Sequence, residues 1–206
     1  TGGITFYKSD VDFENVRISD VKAEDAINIV ESSFSLNSVF INNTISDGFD
    51  SDFSKGSVLH SKLSNIGGDA LDFSGSNVLI ENTTVINVKD KAVSAGEESV
   101  LNIENSHFDN IGVGVASKDG SLVTINNTRI LDYKLYAAMS YIKKDFYSMP
   151  DISINNSSVS DGNSYIRQKG TNMTVDNIKI PESKMSVKKL YRNRVMSKWA
   201  QIIDMK

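Results

Sequence analysis

The 206-residue sequence predicts an all-β fold: a single-stranded right-handed parallel β-helix of about eight coils, with an internal Asn ladder and a C-terminal helical tail. Three observations predict it. A short pattern, apolar–x–Asn–x–x–apolar, recurs along most of the chain. Apolar residues alternate in bursts of two or three, as in Val78-Leu79-Ile80 and Leu101-Asn102-Ile103. Each burst is bounded by Gly, Ser, Asn or Asp. Recurrence at a fixed period marks a repeat architecture, alternation marks strands rather than helices, and the bounding residues are those of turns.

The copies read in order Phe13-x-Asn15-x-x-Ile18, Phe40-x-Asn42-x-x-Ile45, Val58-x-His60-x-x-Leu63 and Ile80-x-Asn82-x-x-Val85. Ile103-x-Asn105-x-x-Phe108, Ile125-x-Asn127-x-x-Ile130, Ile154-x-Asn156-x-x-Val159 and Val175-x-Asn177-x-x-Ile180 follow. The third residue recurs at gaps of 18 to 29, about 23 residues per coil. Stacked coils bring equivalent residues about 4.8 Å apart. At that spacing one Asn amide reaches the next, so the third position reads as an internal ladder at a bend. His60 falls on a rung, and that register makes it a structural member rather than a catalytic histidine. The two prolines, Pro150 and Pro181, leave the strands free of Pro, as internal strands require.

The β-helix is expected over residues 1–180, with residues 181–206 as a tail or capping helix. Val187, Leu190, Tyr191, Val195, Trp199 and Ile202 fall at helical spacing among Lys188, Lys189, Arg192, Arg194 and Lys198. Two readings stand for this segment: closure of the open end of the core, or docking onto a protein partner or an anionic membrane surface. Because the repeat already runs through the first residues, Thr1 reads as the start of a processed or excised chain.

Composition narrows the function classes. A net charge of −4 and a pI near 5.2 lack the basic footprint of a nucleic-acid partner. The absence of cysteine removes disulfides, thiolate nucleophiles and Cys-ligated metals. No apolar run is long enough for a transmembrane segment.

A second set of equivalent segments precedes the Asn register and carries the candidate chemistry. In Gly48-Phe49-Asp50-Ser51-Asp52-Phe53, Gly68-Asp69-Ala70-Leu71-Asp72-Phe73 and Asp90-Lys91-Ala92-Val93-Ser94, apolar residues turned inward leave Asn28, Asp52, Asp72 and Ser94 in one outward column. Asp50, Asp52, Asp69 and Asp72 then share a patch, with Lys91 one coil away. Crowded carboxylates raise one another's pKa unless a cation intervenes, and calcium favours such oxygen clusters. Lys91 beside a metal-neutralised uronate would be the catalytic base of a lyase. The same residues also read as a solvated acidic face. Lys118-Asp119-Gly120-Ser121 reads as a solvated turn. An aromatic insert in the longest coil, including Tyr141 and Tyr147, reads either as a carbohydrate-stacking loop or as packing on the helix surface.

The repeat resembles the pectate lyase and polygalacturonase superfamily, and the segments from Ser46 to Ser94 are similar to bacterial β-helix proteins that usually lack an assigned function. Ser46-Asp47-Gly48-Phe49-Asp50 resembles the latter part of the polygalacturonase Asn-Thr-Asp-Gly-x-Asp run. The other polygalacturonase motifs have no counterpart here. Resemblance to calcium-dependent pectate lyases implies Asp50, Asp52, Asp69 and Asp72 as ligands and Lys91 as base. The leading expectation is a non-catalytic, extracytoplasmic bacterial β-helix that binds polysaccharide or serves as a surface scaffold. The alternative is a calcium-assisted lyase or epimerase acting on acidic polysaccharide.

Overall fold

The computed structural model describes residues 2–162 and 164–196. The described residues wind through about eight coils, and three sheet faces run along the axis. Face one stacks Ile4–Tyr7, Asp25–Val30, Asp47–Asp52 and Leu71–Ser74, then the later parts of Thr84–Gly96 and His107–Lys118. Tyr133–Tyr141, Tyr165–Gln168 and Glu182–Ser183 complete it. Face two runs Val11–Glu14, Ser33–Asn37, Lys55–Leu59, Asn77–Glu81, Val100–Glu104, Leu122–Asn126, Asp151–Asn155 and Thr174–Val175. Face three holds Arg17–Val21, Phe40–Thr44, Lys62–Ile66, the early parts of the two long strands, Arg129–Ile130 and Ser158–Val159. Pairing is parallel except where Thr174–Val175 meets Ile178–Lys179.

Alternation dictates the register. On face one Ile27, Phe49, Leu71, Val93, Val115 and Ala138 stack in one inward column, each fully buried. Phe34, Phe49 and Phe73 follow one another inside the coils, with ring centroids 5.1 and 5.9 Å apart. A one-residue slip would turn every such column to solvent, so the hydrophobic pattern holds each coil in place.

The corners correct the expected Asn ladder. Asn15, His60, Asn82, Asn105, Asn127, Asn156 and Asn177 are exposed and adopt positive φ between 48° and 63°. They are chosen because Asn tolerates the left-handed conformation a sharp corner needs, and they do not line the interior. The second coil uses Ser38, at φ 56°, in that role, which restores a regular spacing. Asn42 instead belongs to the face-three strand Phe40–Thr44.

The internal ladders are built from hydroxyls. Ser32, Ser54, Ser76, Ser99 and Ser121 are buried in one column. The backbone N–H of each donates to the Oγ of the next, at 3.0 Å from Ser32, 3.1 Å from Ser54 and Ser76, and 3.2 Å from Ser99. At the next corner the N–H groups of Thr83, Ser106 and Thr128 donate to the hydroxyls of Ser106, Thr128 and Ser157. Corner N–H groups cannot join a strand ladder, and buried donors need partners. A short hydroxyl side chain supplies one from the adjacent coil.

The described part of the C-terminal tail holds one four-residue helix, Val187–Leu190, and lies against the outside of face one. Met185, Val187, Leu190, Tyr191, Val195 and Met196 pack there with Val113, Ala116, Met139 and Tyr141. The described part of the tail therefore covers a lateral patch of face one. Trp199 and Ile202, part of the expected helical stripe, lie outside the described residues. Among the described residues no helix is long and apolar enough to cross a membrane.

Candidate functional site

Face one carries the outward polar rows. Asn28, Asp50, Asp72 and Ser94 occupy one row, and Val30, Asp52, Ser74 and Gly96 the next. Asp50, rather than the expected Asp52, is the neighbour of Asp72, because Phe49 pairs with Leu71 and points inward. The Asn28 amide donates to Asp50 Oδ2 at 3.0 Å. Burial, then Asp72, Asp52, Asp25 and Asp47, push the Asp50 carboxyl up to about 8. Burial and the nearby Asp72 and Glu97 likewise raise Asp52.

Asp72 behaves oppositely. Burial alone would raise its pKa, but Lys118 and Lys91 overbalance that cost, helped by a hydrogen bond from Ser94, and hold it below the ordinary value. Lys118 Nζ donates to Ser94 Oγ at 2.7 Å, so ammonium, hydroxyl and carboxylate form one relay. The expected solvated turn at Lys118-Asp119 is thus corrected, since both side chains are buried. Asp119 Oδ1 accepts the N–H groups of Lys143 at 2.6 Å and Lys144 at 2.8 Å, which anchors the aromatic insert to the coil.

Lys91 is the main correction at the site. Its side chain is 3% exposed, and its Nζ sits 3.0 Å from Asp69 Oδ1 and 2.8 Å from Asp90 Oδ2. Burial would lower its pKa, but Asp69 and Asp90 outweigh it and hold the amine protonated well above its ordinary value. A base must be both deprotonated and reachable. Lys91 is neither, so it serves as the counter-ion of two buried acids. Burial and Asp69 raise Asp90 to about 7, and its Oδ1 is buried without a hydrogen-bond partner among the described residues.

The four expected metal ligands do not converge. Asp69 Oδ1 already accepts from the Lys91 N–H at 2.9 Å and from Lys91 Nζ, and the Asp69 carboxylate lies in the turn rather than in the outward rows. Asp50 and Asp72 share one row while Asp52 stands in the next. Among the described residues no group of three His, Asp or Glu side chains has the arrangement of a metal site. A calcium ion needs six or more oxygens around one point. This donor set does not fit it.

The two expected carbohydrate contacts separate. Tyr141 is fully buried, its hydroxyl 2.9 Å from that of Tyr191 in the C-terminal tail, and no sugar reaches it. Tyr147 is partly exposed and stacks at 4.6 Å on Phe146, which is 77% exposed. The loop bearing this pair reaches back to face one through an ion pair between Lys144 and Glu97. Lys144 also acts on the charge of Asp52, and Lys143 on that of Asp72. Lys118 could have been found in the sequence, since it lies 22 residues after Gly96 and in the same row. Tyr191 could not, because nothing local ties the tail to this face.

The family model for the right handed beta helix region matches residues 1–137. No curated protein matches the chain. Among solved structures, the catalytic domain of a GH87 alpha-1,3-glucanase in complex with nigerose is similar at 11% identity and a TM-score of 0.49. The match covers 87% of this chain and 50% of that one. QnrB1, a plasmid-mediated fluoroquinolone resistance protein, is similar at 13% identity and a TM-score of 0.35, over 84% of this chain and 92% of that one. The chain thus spans about half the length of the glucanase domain. Likenesses this distant say nothing about chemistry.

Proposed function

The chain belongs to the right-handed β-helix family, and on that premise we propose that it is a non-catalytic polysaccharide-binding protein acting outside the cytoplasm. The observation that carries the reading is the Phe146–Tyr147 ring pair, on the loop whose Lys144 and Lys143 act on the charges of the outward Asp52 and Asp72. Sugars offer apolar ring faces to aromatics and hydroxyls to polar groups, and both kinds of partner are present here. Asp50, largely protonated at neutral pH, donates to a sugar oxygen, while ionised Asp72 accepts from a hydroxyl. Tyr147 and Phe146 provide the stacking platform. A location outside the cytoplasm follows from such a ligand.

The competing lyase or epimerase needs a free base and a metal. The engagement of Lys91 and the scattered carboxylates weigh against both. Retention on immobilised polysaccharides, one neutral glucan and one polyuronate, tests the proposal. Binding that is lost in Phe146→Ala/Tyr147→Ala supports it. No retention on either polymer, or retention indifferent to the pair, overturns it. Release of unsaturated products from the polyuronate would revive the lyase.

A further inference from the structure

A different corner of the solenoid carries a row of exposed, mutually bonded amides. Asp20, Asn43, Asn65, Asn87 and Asn110 occupy equivalent corner positions between faces three and one, all exposed and at positive φ. Their side chains bond along the axis: Asn43 Nδ2 donates to Asp20 Oδ1 at 2.5 Å, Asn87 Nδ2 donates to Asn65 Oδ1 at 2.8 Å, and Asn110 Nδ2 donates to Asn87 Oδ1. Asn65 Nδ2 donates to Asn42 Oδ1 at 2.8 Å. This external row is distinct from the register expected to form an internal ladder.

An amide has two N–H donors and two acceptor lone pairs. Ladder bonding at Asn87 consumes one of each, leaving one donor and one acceptor turned to solvent. Such a pair matches a sugar hydroxyl, which also gives and takes one hydrogen bond. The ladder repeats once per coil, roughly every 4.8 Å, close to the rise of one pyranose in an extended glycan.

The ladder forms one wall of a groove of about 390 Å³. The opposite wall begins just after Val88, Ile111 and Tyr133, where the strands step out of register and Lys89, Gly112 and Lys134 follow in successive coils. Lys89 and Lys134 are exposed, have no ion pair among the described residues, and line the groove. Two coils separate them, roughly 9.6 Å. Gly112 puts no side chain between them, and a Cβ there would meet the Lys89 and Asp90 carbonyl oxygens and Val195 Cγ1. The groove therefore carries two positive charges, two coils apart.

We propose that this groove binds a linear acidic glycan carrying an anionic group on every second sugar, its hydroxyls on the asparagine amides and successive anions on Lys89 and Lys134. The site is separate from face one and stands or falls independently of it.

The test is isothermal titration calorimetry on the full chain with three hexasaccharide probes: hyaluronan, with a carboxylate on alternate sugars; oligogalacturonate, with one on every sugar; and cellohexaose, with none. The expected result is tightest binding of hyaluronan, weakening as salt rises. Lys89→Gln and Lys134→Gln, exposed changes that spare the fold, should each reduce affinity roughly tenfold, the scale of one charge-assisted contact. Asn87→Gly keeps the positive φ and should weaken binding too. Measured in the Phe146→Ala/Tyr147→Ala background, which removes the face-one platform, the lysine changes should cost the same. Equal binding of the three probes, no binding of hyaluronan, or binding unaffected by both lysine changes would overturn the proposal. Hyaluronan binding lost only in the aromatic variant would move the ligand to face one and equally overturn it.

Discussion

Replacing Lys91 with Met separates a structural cation from a catalytic one. In the native fold Nζ lies between Asp69 and Asp90, whose side chains are 9% and 7% exposed. Methionine keeps much of the volume but leaves the buried acids without a counter-charge. Breaking a buried pair from one side costs about 3–5 kcal/mol. Asp90 is already raised to about 7, so it can take up a proton and soften the loss. We therefore expect about 3 kcal/mol at pH 8 and a smaller loss at pH 5. For a chain of this length that corresponds to a fall in Tm of roughly 6–12 °C at pH 8. Circular dichroism melts at the two pH values measure it. Lys91→Met/Asp69→Asn/Asp90→Asn should recover about half the loss, because neutral side chains of the same shape replace the orphaned carboxylates. A loss below about 0.5 kcal/mol at pH 8, or one identical at both pH values, would show that Lys91 is solvated, and the buried-pair reasoning would fail.

Other outcomes follow from the same geometry. Asp50 at about 8 and Asp90 at about 7 both lie above their unfolded value of 3.8, so between these limits the folded chain holds more protons than the unfolded one. Their contribution to stability must fall as pH rises from about 4 to about 8, giving a higher Tm at pH 5 than at pH 8. Asp50→Asn should flatten part of that slope, since Asn28 can still donate to the remaining oxygen. Ser76→Ala strips the buried Ser54 N–H of its acceptor and should cost about 1–3 kcal/mol in urea unfolding. Asn82→Ala should cost about 1–2 kcal/mol because Asn82 sits at φ 50°, while Asn82→Gly should stay within a few tenths of wild type by the same assay. Tyr141→Phe removes the bond to the Tyr191 hydroxyl. It should cost about 1 kcal/mol and speed hydrogen exchange in residues 187–196 while the coils keep their protection.

Much of the solenoid was legible because its information is local and repeated. The alternation in Leu71-Asp72-Phe73 states which residues enter the core, and a spacing near 22 brings the next coil into register. At Asn42 motif and conformation part company. Apolar–x–Asn occurs on either side of the corner, and only backbone φ distinguishes Ser38, at 56°, from Asn42 within its strand. The hydroxyl columns are not legible in the sequence for a related reason. Serine is common in turns, and what sets Ser76 or Ser99 apart is the N–H one coil away that it satisfies.

The candidate site was legible only in part. The chain order placed Asp50, Asp69, Asp72 and Lys91 in adjacent coils, and that neighbourhood is real. Their charge states were decided by burial, and burial came from contacts distant in sequence. Tyr191 meets Tyr141 across 50 residues, over a face that a bare β-helix would present to water. What the sequence determined by itself was the period, the inward columns and the corner residues, because each depends on a residue and its equivalent one coil away. What only the tertiary structure decided was which outward groups stay solvated, since a lysine with two buried acids and a lysine in water have the same local sequence and opposite chemistry.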